Sequence, residues 1–316
     1  MESIRAIDLF SGAGGSSWGA RLAGVEVVAG FDAWSVAGAA YQENFPEAGF
    51  YQSRLEDVNP GDLKRELGRI NLIIASPECT NHSPAKGSGP RCEKSKATAF
   101  QVVRFARELE PRWIVVENVT SMRHWTRYGE FIDELRSLGY HVATSVLNAK
   151  DFGVPQSRRR LFILCDREAT PPAVEGKLAD PKSASAILSP DGTFSSSPLR
   201  APRRAEATLA RARRAIQTVG NRAFLLVYYG SDKGGGWQRL SRPLRTITTL
   251  DRFALVAPNR GNHVMRMLQV PELKRGMGMP QRFSLGCTTR RNSIKLLGNA
   301  VCPPVMRYAV RTLTGD

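Results

Sequence analysis

Three places in the 316-residue sequence combine reactive side chains with a strand end that could present them. The first is Leu72-Ile73-Ile74-Ala75, an apolar run passing into Ser76-Pro77-Glu78-Cys79-Thr80-Asn81-His82-Ser83. A strand thus ends in a polar loop carrying a thiol, which reacts as its thiolate where cations or helix N-termini favour that form. The loop continues through Lys86-Gly87-Ser88-Gly89-Pro90-Arg91, basic and glycine-rich, suited to closing over an anionic substrate. The plainer reading of Cys79 is a buried structural cysteine, which fits Cys165 in its apolar strand better. The second place is Trp113-Ile114-Val115-Val116-Glu117-Asn118-Val119, a β-branched strand ending in Glu and Asn. A carboxylate there can be desolvated and hold a proton near neutral pH, as a general acid must, or can simply sit at a helix N-terminus. The third is Asp8-Leu9-Phe10-Ser11-Gly12-Ala13-Gly14-Gly15, between a first strand and a first helix.

Glycines in that turn permit positive φ and close approach of the backbone to a ligand. A dinucleotide fingerprint asks for Gly at its first, third and sixth positions. Gly12 and Gly14 supply two, and the third falls on Ser17, which argues against a pyrophosphate. Asp32 follows the second strand, where a carboxylate suits ribose hydroxyls. Asp57, in Leu55-Glu56-Asp57-Val58, lies near where a third strand would end. Each acid alone reads as a solvated turn residue; with the glycine turn they describe an adenosyl pocket.

The elements that must position these groups alternate. Strands are expected at Arg5–Phe10, Glu26–Phe31, Leu72–Ala75, Trp113–Glu117, His141–Asn148 and Leu161–Cys165, with helices around Ser17–Ala23, Ser35–Asn44, Pro60–Leu67, Ala97–Leu109 and Tyr128–Leu138. That rhythm predicts an α/β fold, a doubly wound and mostly parallel sheet with ligands at the strand C-termini. We divide the chain into 1–166, a catalytic domain; 167–245, a small irregular second domain; and 246–316, which ends the second region and returns to the first. Residues 168–202 are rich in Pro, Ser, Ala and Gly. Arginines 203, 204, 211, 213 and 214 crowd a helix, Phe224–Gly230 reads as a strand, and Lys233-Gly-Gly-Gly-Trp237 as a flexible tip. Val264–Arg275 and Val301–Leu313 read as helices.

Lys and Arg number 45 against 29 Asp and Glu, a net charge of +16. Such an excess suits a polyanionic partner, and equally an arginine-rich host proteome. Five cysteines without a C-x-x-C pair and four scattered histidines predict neither a disulfide framework nor a metal site. No apolar run approaches the ~20 residues of a membrane span, and the N-terminus lacks a secretory pattern. A cytoplasmic protein is expected.

Taken together the motifs resemble the cytosine-C5 DNA methyltransferase family, over nearly the whole chain. Phe10-Ser11-Gly12-Ala13-Gly14 is similar to its cofactor motif, Pro77-Glu78-Cys79 to its nucleophile motif, and Glu117-Asn118-Val119 to its Glu-Asn-Val signature. Gln156-Ser157-Arg158-Arg159-Arg160 matches Gln-x-Arg-x-Arg. Arg266 to Pro280 is similar to the segment that organises the recognition domain, and Gly298-Asn299-Ala300-Val301 closes the set. Each motif is short; six in the family's order, with a basic variable segment between the fourth and fifth, are specific. The family usually has Pro before the cysteine and Gln after it, where Glu78 and Thr80 stand here.

The resemblance implies transfer of a methyl group from S-adenosyl-L-methionine to a cytosine flipped from double-stranded DNA. Cys79 would attack C6, Glu117 protonate the N3/N4 edge, and Arg160 hold O2, with Arg158 near the loop or a phosphate. Phe10, Gly12, Gly14, Asp32, Asp57 and Asn299 would hold the cofactor, Asp32 at the ribose, Asp57 at the adenine amine, and Asn299 closing the pocket from the C-terminal side. It also implies a monomer at the nucleoid, without metal. The competing readings are a nucleotide-dependent oxidoreductase, a tRNA cytosine-C5 methyltransferase, and a catalytically inactive DNA-binding regulator. The recognised DNA site has no readable code in residues 167–245.

Overall fold

The computed structural model describes residues 3–77, 97–174, 178–229 and 235–315. Cys79 and its neighbours Glu78, Thr80 and His82 therefore lie outside the described residues, as does part of the Lys233–Gly236 tip.

The N-terminal half builds a seven-stranded sheet from β1 (Arg5–Leu9), β2 (Glu26–Phe31), β3 (Gly49–Tyr51), β4 (Leu72–Ala75), β5 (Trp113–Asn118), β6 (His141–Asn148) and β7 (Arg159–Asp166), in the order β3-β2-β1-β4-β5-β7-β6. Neighbours from β3 to β5 are parallel, and β7 runs antiparallel to both β5 and β6. The helices are α1 (Gly15–Leu22), α2 (Ser35–Asn44), α3 (Pro60–Leu67), α4 (Phe100–Leu109) and α5 (Tyr128–Ser137). Successive residues of the inner strands enter opposite apolar layers. Ile7, Leu9, Ile73 and Ala75 join one; Ala6, Leu72 and Ile74 join the other. Strands buried on both faces read as unbroken apolar runs, which is why they were visible in the sequence. The chain leaves β1 towards β2 and β3, then crosses back to β4 on β1's other side. The loops after β1 and β4 consequently diverge and open a crevice at the strand C-termini.

A second, five-stranded antiparallel sheet has the order β10-β9-β11-β12-β8, from β8 (Ser197–Pro198), β9 (Phe224–Val227), β10 (Trp237–Arg239), β11 (Phe253–Asn259) and β12 (Asn262–Met267). Its strands come from both sides of residue 245. Of the arginines expected on one helix, Arg211, Arg213 and Arg214 lie in α6 (Glu206–Val219) while Arg203 and Arg204 precede it; Ala212, Ala215 and Val219 of α6 pack on Phe224 and Leu226. One expectation is corrected here. Val264–Arg275 is not a single helix, because β12 ends at Met267 and α7 (Val270–Gly276) follows. The cause is a two-residue hairpin turn whose Arg260 and Gly261 have φ of 46° and 78°, matching the turn to the twist of the β11–β12 pair. Arg266 and Glu272 then join strand to helix in a bidentate pair, both contacts 2.7 Å. Burial pushes the fully buried Glu272 carboxyl up, but Arg266 and the amides of Gln269 and Ser189 outweigh it and hold it below the ordinary range.

The chain returns through α8 (Arg290–Asn299), which the sequence reading missed, and α9 (Pro303–Thr314). The Thr289 hydroxyl caps α8 by accepting from the Asn292 amide. Glycines let α9 lie directly on α1: a Cβ on Gly15 would stand 2.5 Å from the Val301 carbonyl oxygen, and one on Gly19 2.6 Å from Met306 Cβ. With α9 seated on α1, α8 and the residues after it lie over the crevice.

Candidate active site

The first wall of the crevice is the turn between β1 and α1. Gly14, with φ 90°, is the residue before α1, and a Cβ there would meet the Phe45 ring at 2.4 Å. Phe10 itself adopts positive φ (61°), a strained conformation that turns the chain abruptly out of the sheet. The Gly12 amide donates to Asp32 Oδ2 at 3.0 Å and the Trp34 amide to Oδ1 at 2.8 Å, so the β2 carboxylate is locked to the turn.

Beneath the turn sits a residue the sequence reading did not assign. Asp8 is fully buried, and its Oδ2 accepts from the hydroxyls of Ser16 (2.5 Å) and Ser17 (2.6 Å) and the Ser17 amide (3.0 Å). It thus tethers the open amide end of α1, in a helix whose adjoining residue, Gly14, has no side chain to cap it. Burial raises its pKa from 3.8 to about 6, against the lowering effect of those hydrogen bonds, and nearby Asp32 adds a little. Because the folded pKa is raised, this contribution to stability is full below the unfolded value and is lost as pH rises through about 6. The total is about 3 kcal/mol. Urea denaturation from pH 4.5 to 7.5 should show wild-type stability falling relative to Asp8→Asn over that window; parallel curves would refute the assignment. The available signal was the Asp's place between Ile7 and Leu9, in the apolar stretch of the strand that follows Arg5.

The second wall is the end of β5. Glu117 is 6% exposed, and burial raises its pKa, partly offset by Arg160 and then Arg158. Arg160, on β7 beside it, places Nε 3.1 Å from Glu117 Oε1. The antiparallel register Glu117↔Phe162 puts Arg160 just past the end of β5, where its side chain can turn back to the carboxylate. Asn118 continues the strand, donating to the Pro77 carbonyl at 3.2 Å and accepting from the Val119 amide at 2.8 Å. It ties the start of the Cys79 loop to β5.

Arg158 and Gln156 face elsewhere. The 3% exposed Arg158 donates to the carbonyls of Ile247 (3.0 Å), Gly298 (2.9 Å) and Ala300 (3.0 Å). Gln156 accepts from the Ile247 amide at 2.8 Å and donates to the Gly276 carbonyl at 2.9 Å. The two side chains lock the segment before β7 to the second sheet's connections and to α8.

One cavity of about 350 Å³ joins the walls, and Phe10, Gly12, Asp32, Pro77, Glu117 and Asn299 all line it. Gly14 and Asp57 do not. Gly14 shapes the turn from behind, while Asp57 is exposed at the end of the 3₁₀ turn Leu55–Asp57, whose Leu55 and Glu56 line the cavity. The buried Ser11 hydroxyl has no hydrogen-bond partner among the described residues, and Ser11 also lines the cavity. An orphaned hydroxyl, a carboxylate locked beside a glycine turn and a volume of this size fit a nucleoside-type ligand. Among the described residues no group of three or more His, Cys, Asp or Glu could hold a metal ion, and no helix is long and apolar enough to cross a membrane.

The chain matches the C-5 cytosine-specific DNA methylase family over residues 4–314. It belongs to that family. Among its curated relatives, the Type II methyltransferase M.XorII of Xanthomonas oryzae is 35% identical over 174 residues, 52% of this chain and 41% of its own length. M.HindV of Haemophilus influenzae, also a Type II methyltransferase, is 30% identical over 161 residues, 51% of this chain and 52% of its own. The match thus spans about half or less of these relatives' length. DNMT2 of Spodoptera frugiperda superposes with a TM-score of 0.74 at 19% identity, covering 99% of this chain and 100% of its own. The Entamoeba histolytica methyltransferase EhMeth does so with 0.73 at 17%, covering 100% and 99%. At such identities the likeness is one of fold, and it extends over both sheets of the chain.

Proposed function

We propose that this methylase transfers a methyl group from S-adenosyl-L-methionine to C5 of cytosine in double-stranded DNA, through a covalent bond to Cys79. The observation that carries this reading is the continuity of the cavity from Asp32 to Glu117. One end suits an adenosyl group; the other holds a protonatable carboxyl beside a guanidinium, and Pro77, two residues before Cys79, lines it.

S-adenosyl-L-methionine, when bound, offers an electrophilic methyl group on a sulfonium. Asp32, the Gly12 turn and Phe10 would hold the adenosyl part, with Asn299 closing over it and the turn ending at Asp57, whose Leu55 and Glu56 line the cavity, at the adenine end. The cytosine swings out of the duplex. The Cys79 thiolate adds to C6 while Glu117 donates its proton at N3, and the displaced ring electrons collect at C5. That carbon takes the methyl group, whose bond to sulfur breaks with its electron pair left on sulfur as a neutral thioether. A base, water in the simplest case, removes the C5 proton, and the returning electrons expel the thiolate as the N3 proton goes back to Glu117. Arg160 orients Glu117 and holds the base O2; Arg158 braces the wall behind both. Residues 167–245, continued by β11 and β12, form the recognition domain, and the basic character of α6, with Arg211, Arg213 and Arg214, favours a phosphate backbone. The Type II naming of the relatives supports a short fixed target, as in restriction-modification, and hence a cytoplasmic protein working at the nucleoid as a monomer.

Bisulfite sequencing of plasmid DNA from cells expressing the protein should reveal protected cytosines in one short context. DNA carrying 5-fluorocytosine in that context should then form a covalent adduct whose peptide contains Cys79. Unprotected cytosines throughout, from protein shown to bind the cofactor, would refute the reading. An adduct on exposed Cys287 would refute the nucleophile.

A further inference from the structure

On the same reading of the cavity, we propose that Lys295 is the cation that receives the carboxylate of the cofactor's methionyl arm. Lys295 lies on α8 one helical turn before Asn299, so the two share a face, and both line the cavity. Its Nζ stands 4.2 Å from the centroid of the Trp34 ring, which lines the same cavity two residues beyond Asp32. The ring face holds the ammonium by cation–π attraction without neutralising it. No described carboxylate lies within ion-pair distance of Lys295, although the cavity wall contains Asp32, Glu56 and Glu117.

Strand order fixes which end of the ligand meets which cation. Along the crevice the sheet presents, in turn, the segment after β3 with Arg54 and Leu55, then Asp32 after β2, Phe10–Gly12 after β1, Pro77 after β4, and Glu117 at the end of β5. A ribose at Asp32 and a reacting methyl at Glu117 leave the base on the Arg54 side. The sulfur then lies between β1 and β5, under α8. The amino-acid arm attached to that sulfur has the sheet below it and α8 above, and Lys295 is the cation α8 contributes to the cavity. The wall's acidic side chains suit the ligand's cationic groups; the arm's carboxylate needs a donor, and an ammonium supplies three.

The test compares S-adenosyl-L-methionine with its decarboxylated analogue, two ligands that differ only in this carboxylate, by calorimetric titration of the full chain. Wild type should prefer the carboxylated ligand. Lys295→Met, which keeps an aliphatic stem against Trp34, should weaken that ligand about tenfold and leave the analogue's affinity unchanged, while Lys295→Arg keeps the preference. Equal weakening of both ligands, or of neither, would overturn the proposal while leaving the cofactor reading standing. Wild-type protein that binds neither would overturn the cofactor reading, and this inference with it.

Discussion

Glu117→Gln is expected to slow methyl transfer by about 10²–10⁴-fold while leaving the fold and cofactor affinity intact. The amide is nearly isosteric and its carbonyl can still accept from Arg160, whose Nε lies 3.1 Å from the carboxylate. What it cannot do is deliver a proton to N3 as C6 is attacked. Burial is the leading reason the Glu117 carboxyl is raised, with Arg160 and Arg158 restraining the shift, so the acid form persists above the ordinary carboxylate range. The sign follows: the donating form is full at low pH and is lost as pH rises through the raised value. Wild-type single-turnover rates with radiolabelled cofactor should therefore carry a basic limb that the Gln variant lacks. A Gln variant with near wild-type rate, or one retaining that limb, would remove Glu117 from the chemistry.

How much of this site was legible in the sequence depended on where each residue stands. Strands buried on both faces, such as β4, announced themselves, and β2, β4 and β6 begin and end at the residues expected of them. Glu117 and Phe10 were visible because polar or glycine-rich residues interrupt such runs at the sheet edge. Asp8 escaped notice because its partners, Ser16 and Ser17, are ordinary residues whose role arises only when α1 folds back over β1. The second sheet was harder still, since its strands are short and its pairing joins residues as distant as Pro198 and Val264. The hairpin at Arg260-Gly261 was missed because Val264 to Arg275 places apolar residues at spacings that suit either period. The two motif arginines illustrate the limit best. Sequence spacing alone gives Arg158 and Arg160 one setting, two residues apart and just ahead of an expected strand, although β7 itself begins at Arg159 and takes in only Arg160. Only the third dimension separates a guanidinium on Glu117 from one on three backbone carbonyls.

That separation makes Arg158→Met the second large effect, on stability before activity. The Arg158 guanidinium is the shared donor for carbonyls of Ile247, Gly298 and Ala300, which belong to the connection from the second sheet and to the end of α8. A thioether fills part of the volume and donates to none of them. Each buried carbonyl left unpaired costs about 1–3 kcal/mol, and relaxation or entering water reduces the sum, so a net loss of about 3–5 kcal/mol is expected. Arg158→Lys should fall between, because one ammonium cannot span three acceptors in the guanidinium's fixed fork. The same carbonyls flank Asn299, so cofactor affinity should fall along with the unfolding midpoint, and saturating cofactor should recover part of the stability by mass action. A phosphate-binding role predicts the opposite pattern: an unchanged unfolding midpoint with weaker, less salt-dependent DNA binding. Urea denaturation of the Met and Lys variants, with and without cofactor, separates the two. Wild-type stability in Arg158→Met would return this residue to the DNA surface.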